Sequence, residues 1–287
     1  MQPILHHQHQ PSSALDCTLA SEVPVALVFN GISHAVMMAS PGEAAELALG
    51  FALTEGILDS ADDCYDIEVQ TISAAQAGLP PGIDGVQVQM QMAARCFVRL
   101  KDRRRSLSGR TGCGVCGVDS FAALDLDCPA LPAQAWLAQI DVHAVLRAAE
   151  ALRTQQPLHQ ITRATHAAAW VDVHGQIQQV MEDVGRHNAL DKLVGLLAQR
   201  QQLQQPGFVL LSSRGSHELV RKCARVGVAA LATVSAPTAM GVRMAELTGL
   251  RLWGMCRSPQ AVLYASGSGQ PPVPGNASAL PGPGATS

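Results

Sequence analysis

Lysine is scarce in this sequence: it occurs at only three of the 287 positions, Lys101, Lys192 and Lys222, and the formal net charge is −3. A chain with this charge balance lacks the broad positive surface of a general nucleic-acid-binding protein. Arginine supplies nearly all of the positive charge. Because its planar guanidinium suits bidentate contacts to phosphate and carboxylate groups, the arginine content indicates either anion-binding sites or a compositional bias of the whole chain.

The sequence also lacks an apolar run of the roughly 20 residues that a membrane helix needs, since Pro, Ser and charged residues interrupt each apolar stretch. The first 17 residues are rich in His and Gln and have neither the basic start nor the apolar core of a secretory signal. We therefore expect no membrane association and a cytoplasmic location. In that reducing compartment, closely spaced cysteines are more typical of metal-binding or catalytic sites than of structural disulfides.

The most distinctive motif is Arg-Thr-Gly-Cys-Gly-Val-Cys-Gly at residues 110–117, which places Cys113 and Cys116 in a Cys-x-x-Cys spacing between glycines. Two thiols make only half of a tetrahedral zinc site, and the sequence has no second Cys-x-x-Cys pair. Flanking glycines also disfavour the helix start on which a thioredoxin-type pair lies. The motif therefore favours a nucleophilic or carrier thiol on a flexible loop. The nearby arginines at 103–105 and Arg110 either favour its thiolate or form a solvated basic face.

Composition divides the chain into four parts. Residues 1–20 and 265–287 are polar or rich in Pro, Gly and Ser, and are predicted to be disordered. Residues 21–128 are predicted to form an α+β domain that ends in the Cys-x-x-Cys loop. Residues 138–264 are predicted to form an α/β domain.

The first domain begins with two apolar runs on either side of Asn30-Gly31, which is a strong hairpin signal. Ser40-Pro41-Gly42-Glu43 predicts a capped helix that begins there and runs to Glu55. Alternating residues predict a strand at Val86–Met92, and a further strand is predicted at Arg95–Leu100.

In the second domain, helices and strands alternate strictly after an initial pair of strands. This order predicts a mostly parallel sheet covered by helices, with an antiparallel strand at its start. The predicted strands are Ala167–Val173, Ile177–Val180, Phe208–Ser212, Val228–Val234 and Leu250–Met255.

Polar segments follow three of these strands, at Ser212–Ser216, Val234–Thr238 and Gly254–Gln260. In a parallel sheet such segments meet at the carboxyl edge, where ligands bind and helix N-termini attract phosphate. Ordinary turns also use Ser and Gly, so the alternative of three unremarkable turns stays open. His187 and Asp191 are four residues apart and share a helix face, in a catalytic or a structural pair.

A zinc-deaminase site is not supported. Such enzymes use His-x-Glu followed by Pro-Cys-x-x-Cys, whereas His166 is followed by Ala167 and Ala168, and no Pro-Cys-x-x-Cys occurs after it.

Several segments taken together, and in the same order, resemble the FdhD family of sulfurtransferases that mature formate dehydrogenase. The resemblance spans residues 22–264. The segments are EVPVALVFNGISHAVMMASP (22–41), RRRSLSGRTGCGVCG (103–117), THAAAW (165–170), EDVGRHNALDK (182–192) and SSRGSHELV (212–220).

The resemblance implies a sulfurtransferase whose second domain has a three-layer, cytidine-deaminase-like fold without zinc. It implies a homodimer that carries sulfur as a persulfide from a cysteine desulfurase to the molybdenum bis(molybdopterin guanine dinucleotide) cofactor, which formate dehydrogenase receives. Cys113 matches the family's persulfide cysteine and Cys116 the second cysteine. The family's cofactor-binding segment matches Met255, Cys256, Arg257, Ser258, Pro259 and Gln260.

The chain departs from the family at Arg163, which stands where relatives commonly have glycine. Two other function classes are kept as alternatives. One is a non-catalytic chaperone that holds the molybdenum cofactor for formate dehydrogenase, and the other is a structural zinc protein.

Overall fold

The computed structural model describes residues 2–5, 14–106 and 128–267, so Cys113 and Cys116 lie outside the described residues. The described residues form a mixed α/β structure with one four-stranded and one six-stranded sheet. The strands are β1 (Gln2–Leu5), β2 (Ala14–Cys17), β3 (Val23–Phe29), β4 (Ile32–Ala39), β5 (Cys64–Ile72), β6 (Gly85–Met92), β7 (His166–Asp172), β8 (Ile177–Asp183), β9 (Gly207–Leu211), β10 (Ala230–Thr233), β11 (Arg251–Arg257) and β12 (Gln260–Ser266). The α-helices are α1 (Ala44–Thr54), α2 (Ala74–Ala77), α3 (Ala94–Ser106), α4 (Val142–Leu152), α5 (Pro157–Thr162), α6 (Arg186–Gln199), α7 (His217–Arg225) and α8 (Ala239–Thr248).

Strands β1 and β2 pair antiparallel, within the first 20 residues for which the sequence predicts disorder. The four-stranded sheet has the order β4-β3-β6-β5. The Asn30-Gly31 turn joins β3 to β4, and its two residues have φ values of 45° and 78°. Asn30 also bonds the backbone of Met92 through both ends of its amide, at 3.1 and 2.8 Å. The predicted hairpin is therefore present, and its turn also holds the end of β6.

Two predictions in the first half are wrong. Helix α1 begins at Ala44, because Gly42 and Glu43 have positive φ values of 108° and 49° and turn the chain before the helix. Ser40 does not cap this helix; its hydroxyl accepts a hydrogen bond from the Val184 backbone at 3.1 Å.

The strand predicted at Arg95–Leu100 is part of helix α3. Cys96 and Leu100 are 0% and 5% exposed. Their spacing of four residues puts both on the buried face of a helix. In a window of only six residues, apolar positions four apart fit a strand as well as a helix.

The six-stranded sheet has the order β12-β11-β10-β9-β7-β8. The predicted mostly parallel arrangement holds for β9, β10 and β11, which pair in parallel. The other three pairings are antiparallel. Two of these pairings follow from tight turns, because β8 follows β7 and β12 follows β11 directly. The third joins β7 to β9. Strand β12 has no counterpart among the predicted strands.

Helices α1 and α6 cross at glycines, which bring the two halves of the chain together. A Cβ atom at Gly50 would overlap the backbone carbonyl of Asp191, and one at Gly195 would overlap that of Glu46. One continuous cluster of buried apolar side chains includes residues from both halves. The boundaries at 21–128 and 138–264 remain predictions. None of the helices in the described ranges has the length and apolar character to cross a membrane.

Arg163 lies at the C-terminal end of helix α5 in the left-handed conformation, with φ 56° and ψ 16°. The backbone amide of Arg163 donates to the carbonyl of His159 at 2.8 Å. Glycine is favoured at this position because a Cβ makes the left-handed conformation unfavourable. The backbone at this position therefore keeps the conformation that suits glycine, and Arg163 adopts it at a cost in conformational free energy.

Replacing Arg163 by glycine is therefore expected to raise the free energy of unfolding by about 1 kcal/mol. Urea unfolding at equilibrium measures the change. Arg153 provides the matched control, since it is also exposed and ends a helix but has a right-handed φ of −58°. Arg153→Gly should lower stability, and a loss of stability in both variants would contradict the explanation.

Candidate functional site at the sheet rim

The carboxyl ends of β8, β9, β10 and β11 point to the same edge of the six-stranded sheet. We call this edge the rim. Helix α6 begins there after β8, α7 after β9 and α8 after β10, so three helix N-termini lie along it. Helix N-termini carry partial positive charge and unpaired N–H groups, which favour anions.

Backbone hydrogen bonds join the three polar segments that the sequence singled out. Ser235 donates to the carbonyl of Ser213 at 3.4 Å, and Met255 donates to that of Ser235 at 3.2 Å. Thr238 donates to the carbonyl of Gly215 at 3.0 Å. The residues at 212–216, 234–238 and 255 are therefore adjacent in space.

Some rim hydroxyls serve the fold. The Ser212 hydroxyl accepts from the backbone of Ala167 at 2.9 Å, which ties β9 to β7. Thr238 caps helix α8 by accepting from Gly241 at 3.0 Å. By contrast, Arg214 is exposed between β9 and α7. The rim thus combines a fixed backbone with an exposed guanidinium.

The segment Met255–Gln260 occupies the rim after β11. Met255 is 41% exposed and has a φ of 54°, a left-handed conformation that non-glycine residues adopt rarely. Arg257 and Gln260 are exposed. Cys256 differs from them because it is 1% exposed, and burial raises the pKa of its thiol to about 12. Its thiol therefore stays protonated, while Met255, Arg257 and Gln260 present their side chains outward.

His187 lies in the first turn of α6, and its Nε2 atom is buried without a hydrogen-bond partner among the described residues. Burial lowers the pKa of His187 to about 4, and the charges of Arg186 and Lys222 act in the same direction. Burial raises the pKa of Glu218 on the adjoining α7, but neighbouring groups, including Ser216 and His217, lower it by more. The rim therefore holds a neutral imidazole next to a carboxylate at neutral pH.

The lowered pKa of His187 predicts that the folded protein loses stability in acid. Below its ordinary pKa of 6.5, the unfolded chain takes up a proton at His187 that the folded chain does not take up until about pH 4. Stability should thus fall by up to about 3 kcal/mol as the pH drops through this window. His187→Gln should flatten the profile of unfolding free energy against pH, whereas His174→Gln, at an exposed turn, should leave it as in the wild type. If the profiles of both variants coincide with that of the wild type, His187 is not the group that causes the loss of stability.

Asp191, which shares a helix face with His187, is a structural residue. It is 1% exposed, and its carboxylate accepts hydrogen bonds from Lys222 at 2.9 and 3.0 Å and from Thr54 at 2.7 Å. Lys222 also contacts Glu55 at 2.8 Å. This set of four residues, the α1–α6–α7 ion cluster, fixes the three helices behind the rim.

Two lysines are buried, and no local sequence pattern predicts this. Lys192 is fully buried, pairs with buried Asp183 at 2.9 Å and donates to the carbonyl of Ser40 at 3.1 Å. Lys222 is 4% exposed. The one indication in the sequence is the rarity of lysine: two of the three lysines in this arginine-rich chain lie in buried ion pairs.

The two cysteines of the Cys-x-x-Cys motif are outside the described residues, but both ends of their segment are placed. Helix α3 ends at Ser106, and the chain is described again from Cys128. The thiol of Cys128 donates to the backbone carbonyl of Arg221 in α7 at 3.5 Å. Cys128, where the described chain resumes, is therefore held beside a helix that begins at the rim.

One group in the described part of the chain, Asp59, Asp63 and Cys96, brings three potential metal-ligand atoms together. Arginines already pair with both carboxylates, Arg99 with Asp59 at 2.9 Å and Arg95 with Asp63 at 2.5 Å. Burial raises the pKa of Cys96. The group is accounted for as an ion-paired cluster.

The chain is similar to known proteins over most of its length. The model of the FdhD/NarQ family matches residues 20–269. A sulfur carrier protein FdhD of Bordetella petrii is 48% identical over 246 residues, which are 86% of this chain and 84% of the relative. The protein of the same name from Burkholderia cenocepacia is 49% identical over 246 residues, 86% of each chain.

A crystal structure described as that of a formate dehydrogenase accessory protein from Desulfotalea psychrophila shares the fold. It matches with a TM-score of 0.66 and 18% identity, over 92% of this chain and 95% of that one. The family model covers the rim segments together with the Cys-x-x-Cys motif. The chain therefore belongs to the FdhD/NarQ family.

Proposed function

We propose that this chain is a cytoplasmic sulfurtransferase that carries sulfur, as a persulfide on Cys113, from a cysteine desulfurase to the molybdenum bis(molybdopterin guanine dinucleotide) cofactor destined for formate dehydrogenase. The observation that carries the proposal is the glycine-flanked Cys-x-x-Cys within a chain 48% identical to proteins named sulfur carriers. The proposed active form is a homodimer. The molybdenum cofactor is cargo in this account.

In the first step, the Cys113 thiolate attacks the outer sulfur of the desulfurase persulfide. A new S–S bond forms on Cys113, the old S–S bond breaks, and the desulfurase cysteine leaves as a thiolate. The step conserves oxidation state overall. The glycines beside Cys113 and Cys116 let the loop present the same sulfur to donor and acceptor in turn.

In the second step, the Cys116 thiolate attacks the inner sulfur of the Cys113 persulfide. The outer sulfur leaves as sulfide for molybdenum, and a Cys113–Cys116 disulfide forms. The thiol pair thereby supplies the two electrons that reduce the transferred sulfur. A cellular dithiol reductant restores the pair for the next cycle.

The rim supplies groups suited to the cofactor's guanosine phosphates. Arg214 and Arg257 are exposed there, and guanidinium groups bind phosphate in bidentate fashion. The backbone N–H groups at the start of α7 and α8 add neutral donors. Met255 contributes an exposed thioether on the same segment.

Mass spectrometry of the loop peptide tests the first step. After incubation with a cysteine desulfurase and cysteine, the peptide containing Cys113 should gain the mass of one sulfur atom, and a thiol reductant should remove it. Cys116→Ser should keep this gain and Cys113→Ser should lose it. An unmodified wild-type peptide would instead favour the cofactor chaperone without sulfur transfer.

A further inference from the structure

The start of β11, at the opposite end of this strand from the rim, contains a buried cation that has no ion-pair partner among the residues whose side chains the structure describes. Arg251 and Trp253 lie two residues apart and are 8% and 7% exposed. Side chains two apart on a strand share one face. The guanidinium carbon of Arg251 lies 5.8 Å from the centre of the Trp253 ring.

The hydrogen bonds of this pair are incomplete. The Arg251 guanidinium donates from Nη1 to the backbone carbonyl of Leu137. Its Nε atom and the indole Nε1 of Trp253 are buried without an acceptor in the described part of the chain. No carboxylate of residues 18–101 or 128–267 forms an ion pair with Arg251, in contrast to the buried Lys192 and Lys222.

An unpaired buried charge is strongly unfavourable, and buried N–H groups without acceptors add to the cost. Burial accordingly lowers the pKa of Arg251. A water molecule would satisfy an N–H group but leave the charge uncompensated. An anion with several oxygens satisfies both, because N–H donors that each reach about 2.9 Å to an oxygen can share one oxyanion.

We propose that Arg251 and Trp253 form a binding site for a small oxyanion of the phosphate or sulfate class. The guanidinium supplies the charge and a charge-assisted bond through Nε, and the indole N–H orients a second oxygen. The contact to Leu137 holds the guanidinium in place between the segment at 135–139 and β11. The site stands independently of the sulfur-transfer proposal.

Thermal unfolding of the full chain in phosphate, against chloride at equal ionic strength, tests this site. Phosphate at millimolar concentration should raise the Tm of the wild type by about 3 °C. Trp253→Phe keeps the ring but removes the N–H group, and should reduce the rise. Arg251→Met should abolish it.

Two control variants separate this site from others. Arg243→Met removes an exposed arginine of α8 that pairs with Glu246 at 3.2 Å, and should keep the full rise. Arg257→Met removes the rim guanidinium that the proposed function assigns to cofactor phosphates, and the part of the rise that depends on Arg251 should persist in it. A wild-type Tm that is equal in phosphate and chloride, or a rise lost in Arg257→Met but kept in Trp253→Phe, would overturn the proposal. None of these results tests the sulfur-transfer proposal, because that proposal is tested by the mass of the loop peptide.

Discussion

Replacing Lys222 by methionine is expected to lower the free energy of unfolding by about 3–5 kcal/mol. The ammonium group is buried and contacts Asp191 at 2.9 Å and Glu55 at 2.8 Å. Burial opposes a charged Glu55, but Lys222 first, and then Arg221 and Arg225, hold the pKa of this carboxyl at about 2. Removal of the ammonium leaves Asp191 as an uncompensated buried acid, whose pKa burial already raises. Equilibrium urea unfolding at neutral pH measures the loss.

Lys101 provides the matched control, because it is the exposed lysine of the three. Lys101→Met should change stability by no more than about 0.5 kcal/mol. The double variant Lys222→Met with Asp191→Leu should recover part of the loss, since it removes both buried charges together. A Lys222→Met protein within about 1 kcal/mol of the wild type would show that the ion cluster does not hold the three helices together.

Replacing Cys113 by serine is expected to reduce formate dehydrogenase activity to the level of cells without this chain. Serine keeps the size of the side chain, but its hydroxyl is not ionised at neutral pH and cannot carry a persulfide. The measurement is formate oxidation in cells that lack their own copy and express each variant at equal protein level. Cys116→Ser should lower activity less, because other thiols can release sulfur from the Cys113 persulfide.

Cys64→Ser is the control for the loss of a thiol elsewhere. Cys64 lies on the edge strand β5, and burial raises the pKa of its thiol. We expect full activity from this variant. Wild-type activity in Cys113→Ser cells would eliminate the persulfide as an essential intermediate.

The elements that sequence reasoning predicted well depend on neighbouring residues. The Asn30-Gly31 hairpin is determined by two positive φ values within the turn itself. The three rim segments could be anticipated because parallel strands end at a common edge whatever their side chains. Arg163 stands where the family commonly has glycine, and the structure has this residue in the left-handed conformation that glycine favours.

Features that were missed depend on partners far away in the chain. Lys222 meets Thr54 across 168 positions, and Lys192 meets Ser40 across 152. No local pattern encodes such pairs. Strand β12 was not predicted because residues 265–287 have the composition of a disordered tail, although the strand begins at Gln260. The turn of Gly42 and Glu43 was missed because Ser40-Pro41 resembles a helix start, while Ser40 bonds Asp183 and Val184 instead.

The passage of sulfur from protein to cofactor is the central claim, and a label follows it directly. The chain is loaded with radioactive sulfur from labelled cysteine and a desulfurase, freed of both, and then mixed with molybdenum cofactor and cofactor-free formate dehydrogenase. The account predicts that label leaves Cys113 and appears on the cofactor extracted from the enzyme, and that Cys113→Ser transfers none. Active enzyme with unlabelled cofactor, while the label stays on the chain, would contradict it.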